Sequence, residues 1–167
     1  MMCDRDSVHA MKWLYLIVLF IVSACGKTAV GPMEGQRAPV FEAQRMNGSQ
    51  FNLVDVRGRP TVVVFWASWC GPCRQEAPDI VRVAKSYGTK VNILGINAGE
   101  RSEVAKRAAR EMGITWPVGM DSSGTIQSQY KVTGIPLVLI LDADGRVRHR
   151  NNGIPSDIHR LLDGLLG

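Results

Sequence analysis

The chain predicts an α/β fold, a central mixed sheet with helices on both faces, and three observations carry that prediction. Val62-Val63-Val64-Phe65-Trp66 and Leu137-Val138-Leu139-Ile140-Leu141 are near-continuous apolar runs of strand length, as strands buried on both faces require. Stretches with apolar residues at helical spacing alternate with the strand-like runs, the pattern of strand-helix-strand units. The length, 167 residues with 46% hydrophobic and 21% charged, suits one globular domain with an ordinary core.

Taken in order, the chain opens on a leader. Trp13 to Val22 is an apolar run of ten residues that follows Lys12 and precedes Ser23-Ala24-Cys25. A spanning helix needs about 20 such residues. Small residues after a short apolar run suit a signal-peptide cleavage site, so residues 1–24 read as an export signal. Met11-Lys12 makes a tidier translation start than Met1. The stretch that follows, with Pro32 and three glycines before Gln36, reads as a flexible tether.

Ala38-Pro39-Val40-Phe41 opens the folded part, and Asn47-Gly48 between Phe41–Met46 and Ser49–Leu53 is a hairpin signal. Gly58-Arg59-Pro60 then launches the strand Thr61–Trp66. A helix is predicted over Arg74–Tyr87, with Ile80, Val81, Val83, Ala84 and Tyr87 on its core face and Gly88 as its stop. Val91–Ile96 is the next strand and Asn97–Arg101 a loop. Ser102 is expected to cap a helix whose Val104, Ala105, Ala108, Ala109 and Met112 form one face. Trp116-Pro117-Val118 starts a short strand, Asp121–Gly124 is a turn, and Thr125–Tyr130 a short helix. The strand Leu137–Leu141 joins through Ala143-Asp144-Gly145 to the alternating Arg146–Arg150, nearer an edge. Ser156 is expected to cap a closing helix with the stripe Ile158, Leu161, Leu162 and Leu165.

Chemistry concentrates where the strand Thr61–Trp66 delivers Cys70-Gly71-Pro72-Cys73 to a helix start. Two cysteines at this spacing can close a small disulfide ring, and Pro72 stiffens the turn without needing a backbone donor. Unpaired N–H groups and the dipole at a helix N-terminus favour a thiolate over a thiol. Cys70 is therefore the candidate nucleophile. An inert disulfide or half a zinc site are the competing readings. Zinc wants about four ligands, whereas the other cysteines, Cys3 and Cys25, lie near the N-terminus, so no metal and no cofactor are expected.

Phe65 to Cys73 resembles the active site of the thioredoxin superfamily. Pro78, five residues after Cys73, matches the proline that kinks the helix behind that site, and Thr133-Gly134-Ile135-Pro136 resembles the loop whose cis-proline faces the dithiol. The interval from Cys70 to Pro136 is longer than in plain thioredoxins and is similar to the insertion of the TlpA-like, ResA-like and CcmG-like extracytoplasmic branch. The likeness runs from Gln36 to Leu166. It implies a thioredoxin-like three-layer fold with an N-terminal hairpin and a TlpA-type insertion.

The resemblance also implies roles. An exposed Cys70 thiolate would attack a partner disulfide, and Cys73 would then attack Cys70 to release the reduced partner. Trp69 would shield one side of the sulfur. Gly71-Pro72 resembles reducing thioredoxins, and Ile135 beside a cis Pro136 would offer backbone groups to an extended substrate segment. One departure stands out: plain thioredoxins bury an aspartate six residues before the first cysteine, where this chain has Val64. Glu76, one helical turn after Cys73, matches an acidic residue of ResA-like proteins and is expected to give acid/base help or to tune the thiols.

Val22-Ser23-Ala24-Cys25 resembles a bacterial lipobox, with Val22 in place of the usual leucine. That implies lipidation of Cys25, residues 25–35 as anchor and tether, and 36–167 as the thioredoxin-like domain. Cys70 and Cys73 would then be the only thiols left, as suits redox work in an oxidising compartment. The formal charge of +5 comes largely from Arg101, Lys106, Arg107 and Arg110, which read as a solvated helix face. No aromatic residues interleave with them, so nucleic acid is not an expected partner.

The expectation is a monomeric, lipid-anchored, extracytoplasmic thiol:disulfide oxidoreductase, facing the periplasm or cell exterior. It would reduce protein partners such as apocytochrome c or copper-site cysteines with electrons from a membrane thiol donor. Alternatives are a dithiol oxidant or isomerase, a redoxin-type thiol peroxidase, and a copper chaperone. The peroxidase pattern Pro-x-x-x-Thr-x-x-Cys meets Ala67 at its threonine, and the chaperone would need His149 as a third soft-site ligand.

Overall fold

The computed structural model describes residues 28–167. The expected signal peptide and Cys25 lie outside the described residues. The strands are β1 (Glu42–Arg45), β2 (Gln50–Asn52), β3 (Thr61–Trp66), β4 (Asn92–Ala98), β5 (Val118–Asp121), β6 (Leu137–Leu141) and β7 (Val147–Asn152). The helices are α1 (Gly71–Tyr87), α2 (Ser102–Glu111), α3 (Thr125–Gln129) and α4 (Ile158–Leu166). All seven strands share one sheet in the order β2-β1-β5-β4-β3-β6-β7. Parallel β3, β4 and β5 form its middle, with β6 antiparallel to β3 and β1 antiparallel to β5. The N-terminal hairpin therefore extends the central sheet.

Every residue of β3 is buried, and its alternation splits the core. Val63 and Phe65 pack with Phe41, Phe51, Ile126 and Tyr130 on the face carrying α3. Val62 and Val64 pack with Ile80, Val83, Ile158 and Leu162 of α1 and α4 on the other. The small face of α2, Ala105, Ala108 and Ala109, lies with Trp66 and Ala77. Helices cover both faces, as the apolar runs required.

Several local expectations give way to tertiary partners. Ser102 does not cap α2: its hydroxyl donates to the Met46 carbonyl at 2.9 Å, tying the helix to the β1–β2 hairpin, and Arg101 occupies the cap without a side-chain bond. Ser156 does not cap α4, which starts after Asp157. Asp121, expected in a turn, ends β5 instead. Its buried carboxylate receives the N–H groups of Ile126 at 3.1 Å and Gln127 at 2.8 Å, taking the donors that open α3. β4 continues to Ala98, into the stretch expected to be loop.

The tether expectation is also corrected. Residues 28–35 are docked along β7, where Gly35 N–H donates to the Val147 carbonyl at 2.8 Å and Val147 N–H to the Gln36 carbonyl at 2.9 Å. Glu34 accepts from Arg150 N–H at 3.0 Å, and Gly31 and Pro32 are buried. The cause is the edge strand, whose unpaired backbone groups need partners.

Tyr130 ties the chain that follows this docked stretch to the core. Its ring is fully buried against Phe41 and Phe65, and its hydroxyl donates to the Pro39 carbonyl at 2.6 Å. Burial pushes the phenol pKa up, so it remains a neutral donor. Tyr130→Phe should lower stability by about 1–3 kcal/mol, the cost of a buried carbonyl losing its donor. The urea midpoint reads this directly, and an unmoved midpoint would show that the bond contributes nothing.

Candidate functional site

β3 ends at Trp66 and the chain turns through Ala67–Trp69 into α1, with Cys70 at the helix cap. The Cys70 sulfur accepts the Cys73 N–H at 3.1 Å, taking the place of the oxygen that usually caps a helix. Gly71 and Pro72 fill the first turn, where the missing Pro72 N–H leaves nothing unpaired. α1 therefore begins three residues before the expected Arg74. It runs on through Pro78, which leaves the Arg74 carbonyl without its helical partner on an exposed face.

Cys70 and Cys73 form a disulfide, with S–S 2.01 Å and Cα atoms 5.2 Å apart. Both are buried, at 3% and 4% exposure, which corrects the expectation of an exposed Cys70. Cover comes from the Ile135–Pro136 loop: the peptide is cis, Pro136 is buried, and the Ile135 carbonyl oxygen lies 3.6 Å from the Cys70 sulfur. Trp69, next to Cys70 in the chain, is 70% exposed and offers an apolar surface to solvent. Gly71 and Gly134 flank the disulfide with open space where a Cβ would stand, so a partner chain can approach.

Glu76 is not a solvated helix carboxylate. It accepts Ile154 N–H at 2.9 Å and lines a cavity with Cys73 and Val64. The preceding Gly153 N–H donates to the Pro136 carbonyl at 3.0 Å. One turn after β7 thus holds both the proline loop and the carboxylate. Gly153 has φ +95°, and a Cβ there would stand 2.8 Å from Glu76 Oε1, so glycine is required twice over. Sequence reading missed Gly153, which looks like any turn glycine.

Glu100 was missed as well. Its carboxylate receives the Ser68 N–H at 2.8 Å, the Ser68 hydroxyl, and Asn97 Nδ2 at 2.8 Å. Arg74 braces the same turn, donating from Nε to the Ser68 carbonyl at 2.8 Å while pairing with Glu111 at 3.1 Å. The only available signal was an acidic residue after a buried strand, too common to single out. His149 sits on β7 opposite Ile140, with Nδ1 3.8 Å from Glu34, three residue pairs along the ladder from Leu137. The structure does not bring it to the dithiol. Among the described residues no group of three His, Cys, Asp or Glu side chains is placed to hold a metal ion, and no helix is long and apolar enough to cross a membrane.

The AhpC/TSA family model matches residues 34–150. The thioredoxin-like protein YneN of Bacillus subtilis is 34% identical over 149 residues, covering 82% of this chain and 87% of that protein. The thiol-disulfide oxidoreductase ResA of Geobacillus kaustophilus is 31% identical over 144 residues, covering 83% of this chain and 80% of its own. In fold, the thioredoxin domain of a thiol-disulfide oxidoreductase from Bacteroides vulgatus superposes with a TM-score of 0.74 at 21% identity, over 81% of this chain and 99% of that one.

Glu100 makes the turn's stability depend on pH. Burial raises its pKa, but the hydrogen bonds from Ser68 and Asn97, with Arg74 nearby, outweigh burial and the net shift is downward. A lowered folded pKa means stabilisation that is present above the unfolded value and lost as pH falls through the folded one. Glu100→Gln should destabilise by about 1–2 kcal/mol at pH 7, the scale of hydrogen bonds to an ion. The gap from wild type should close on acidification through the carboxylate range. Urea unfolding at pH 7 and pH 3 measures it, and a gap that ignores pH would remove the charge from the account.

Proposed function

The chain belongs to the AhpC/TSA family of thioredoxin-like proteins and is a thiol-disulfide oxidoreductase, and from that premise we propose that it works as an anchored, extracytoplasmic reductase of protein disulfides. The observation that carries the reading is the Cys70 sulfur at the α1 cap, facing the Ile135 carbonyl. In the reduced protein the Cys73 N–H and the helix dipole favour the Cys70 thiolate. That thiolate attacks a partner disulfide, forming a mixed disulfide and expelling one partner sulfur. Cys73 gives its proton to Glu76, attacks Cys70, and frees the second partner sulfur, so the partner gains two electrons and the disulfide described above is restored. Val64 cannot accept that proton, and Glu76 is the carboxylate lining the cavity beside Cys73.

Export and anchoring are supported by the apolar leader Trp13–Val22 and by Cys25 at the end of a lipobox-like tetrapeptide. The reducing direction is supported by Gly71-Pro72. Partners would be protein disulfides, such as those of apocytochrome c or copper-site cysteines, and electrons would come from a membrane thiol donor. Substrate backbone would lie along Ile135 and the exposed Gly134, with Trp69, Gly71 and Pro72 as its apolar margin. The copper-chaperone reading is disfavoured by the position of His149, and the peroxidase reading by Ala67.

Three outcomes follow. Cys73→Ser should accumulate mixed disulfides through Cys70, seen as reducible adducts on gels, and Cys70→Ser should form none. Glu76→Gln should slow closure by Cys73 by roughly tenfold or more, within the range of general acid–base effects, with folding intact. Equal closure rates from pH 6 to 9 would remove Glu76 from the mechanism. The Cys70/Cys73 potential, read by thiol trapping in glutathione or dithiothreitol buffers, should lie near or below about −250 mV; a value near about −120 mV would make the protein an oxidant.

A further inference from the structure

The chain of β7 holds the proline loop from both ends. Gly153, just after the strand, donates its N–H to the Pro136 carbonyl at 3.0 Å. Arg150, within the strand, donates from Nη2 to the Lys131 carbonyl at 3.0 Å, where the chain leaves α3 for the loop. Lys131 has φ +50°, the one positive value at a non-glycine residue among the described residues. A lysine stays in that left-handed region only where its surroundings hold it there. Val132 N–H donates to the Gln127 carbonyl at 2.9 Å, and beyond it the backbone is open. Among the described residues nothing accepts the N–H groups of Thr133, Gly134 and Ile135. They are donors that an incoming chain can use.

The half-buried Arg150 guanidinium serves main-chain carbonyls instead of a carboxylate. Besides Lys131 it reaches the Pro32 carbonyl, from Nη1 at 3.5 Å, and among the described residues it makes no ion pair. The Arg150 N–H donates to Glu34 Oε1 at 3.0 Å. Pro32 and Glu34 belong to the segment docked along β7, so one arginine stands between that segment and the start of the loop. A planar fork of fixed N–H directions suits such a bridge. We infer that Arg150 is a positioning residue for substrate binding: it fixes the Lys131 carbonyl, sets the loop that presents Gly134 and Ile135, and couples that loop to the docked residues Pro32 and Glu34.

This deepens, and rests on, the reading that substrate backbone lies along Ile135 and Gly134. A loop held in its binding shape before the encounter loses less conformational entropy at the encounter. The coupling is reciprocal, so a bound substrate chain strengthens the docking of Pro32 and Glu34 against β7. A small disulfide that meets only the Cys70 sulfur makes no use of the loop backbone. Arg150 therefore acts on the choice between an extended chain and a bare disulfide, and not on the sulfur chemistry.

The full chain carrying Cys3→Ser, Cys25→Ser and Cys73→Ser keeps Cys70 as its one thiol. It is mixed in stopped flow with a short extended peptide whose single cysteine is a mixed disulfide with thionitrobenzoate. The Cys70 thiolate attacks the peptide sulfur, a Cys70–peptide disulfide forms, and thionitrobenzoate leaves as a coloured thiolate with the electron pair of the broken S–S bond. Dithionitrobenzoate, which has no backbone, gives the comparison rate. Arg150→Gln should lower the ratio of the peptide rate to the dithionitrobenzoate rate about tenfold, the scale of fixing one backbone residue. Arg150→Lys, which keeps the charge and loses the fork, should lower it less, and it serves where the glutamine variant does not fold. Glu34→Ala should lower the ratio in the parent chain and add nothing to Arg150→Gln. An unchanged ratio in the Arg150 variants overturns the proposal, and an additive Glu34 loss overturns the coupling. The substrate reading is tested apart, by methylating the peptide's backbone nitrogens beside its cysteine. Equal capture of methylated and plain peptide by the parent chain overturns that reading and this proposal with it, whereas slow capture of the methylated peptide beside an unchanged Arg150 ratio overturns the proposal alone.

Discussion

A cysteine sulfur standing where a helix start demands an acceptor is the interaction on which the rest of this structure depends. The Cys73 N–H would be an orphan donor at the first turn of α1, and Cys70 satisfies it. That contact fixes where the helix begins. It also fixes the relation of the dithiol to β3, because only three residues separate Trp66 from Cys70. β3 in turn is held in register on one side by parallel β4 and on the other by antiparallel β6, which carries Pro136 at its head. Proline loop and dithiol meet because Phe65, five residues before Cys70, pairs with Leu137, the residue after Pro136.

Two carboxylates divide the remaining work by where the fold puts them. Glu100 stands outside the disulfide ring and spends its hydrogen-bonding capacity on the turn that presents Cys70, so its charge is structural. Glu76 stands behind the ring, held by one backbone N–H, and lines the cavity against Cys73. A carboxylate on β3 at residue 64 would sit in the middle of a sheet with no donor of its own. Supplying the acid from α1 avoids that burial, because Glu76 reaches the edge of the core from a helix whose other face is wet. Gly153 makes the placement possible, since any side chain there would occupy the carboxylate's position.

What could be read from the chain beforehand was what is local. The apolar runs of β3 and β6, the Asn47-Gly48 hairpin, the core faces of α1 and α2, and the dithiol between strand and helix are short-range patterns, and each is present in the fold. Glu100 and Gly153 were not legible. Their meaning lies in partners 32 and 77 residues away, brought close by sheet register. Ser102 and Ser156 failed for the complementary reason. A serine before a helical stripe is a good cap only when no tertiary acceptor competes, and the Met46 carbonyl takes the Ser102 hydroxyl. Likewise glycine and proline before Gln36 suggest flexibility, but an unprotected sheet edge offers backbone partners that such a segment can take up.

That docked segment changes what anchoring through Cys25 would mean. Thr28 receives a hydrogen bond from the Arg146 guanidinium at 2.6 Å, so the described chain enters beside the start of β7. Val147 pairs with Leu141, at the end of β6 farthest from Pro136 and the dithiol. Five residues of strand, about 17 Å, separate the two ends. Three residues from Cys25 to Thr28 span at most about 11 Å. An anchored domain would therefore stand close to the bilayer with the opposite pole outward, and Cys70 would face away from the lipid. A membrane donor serving this dithiol would have to project its own thiols past the domain's far end, whereas soluble protein partners would meet the site directly.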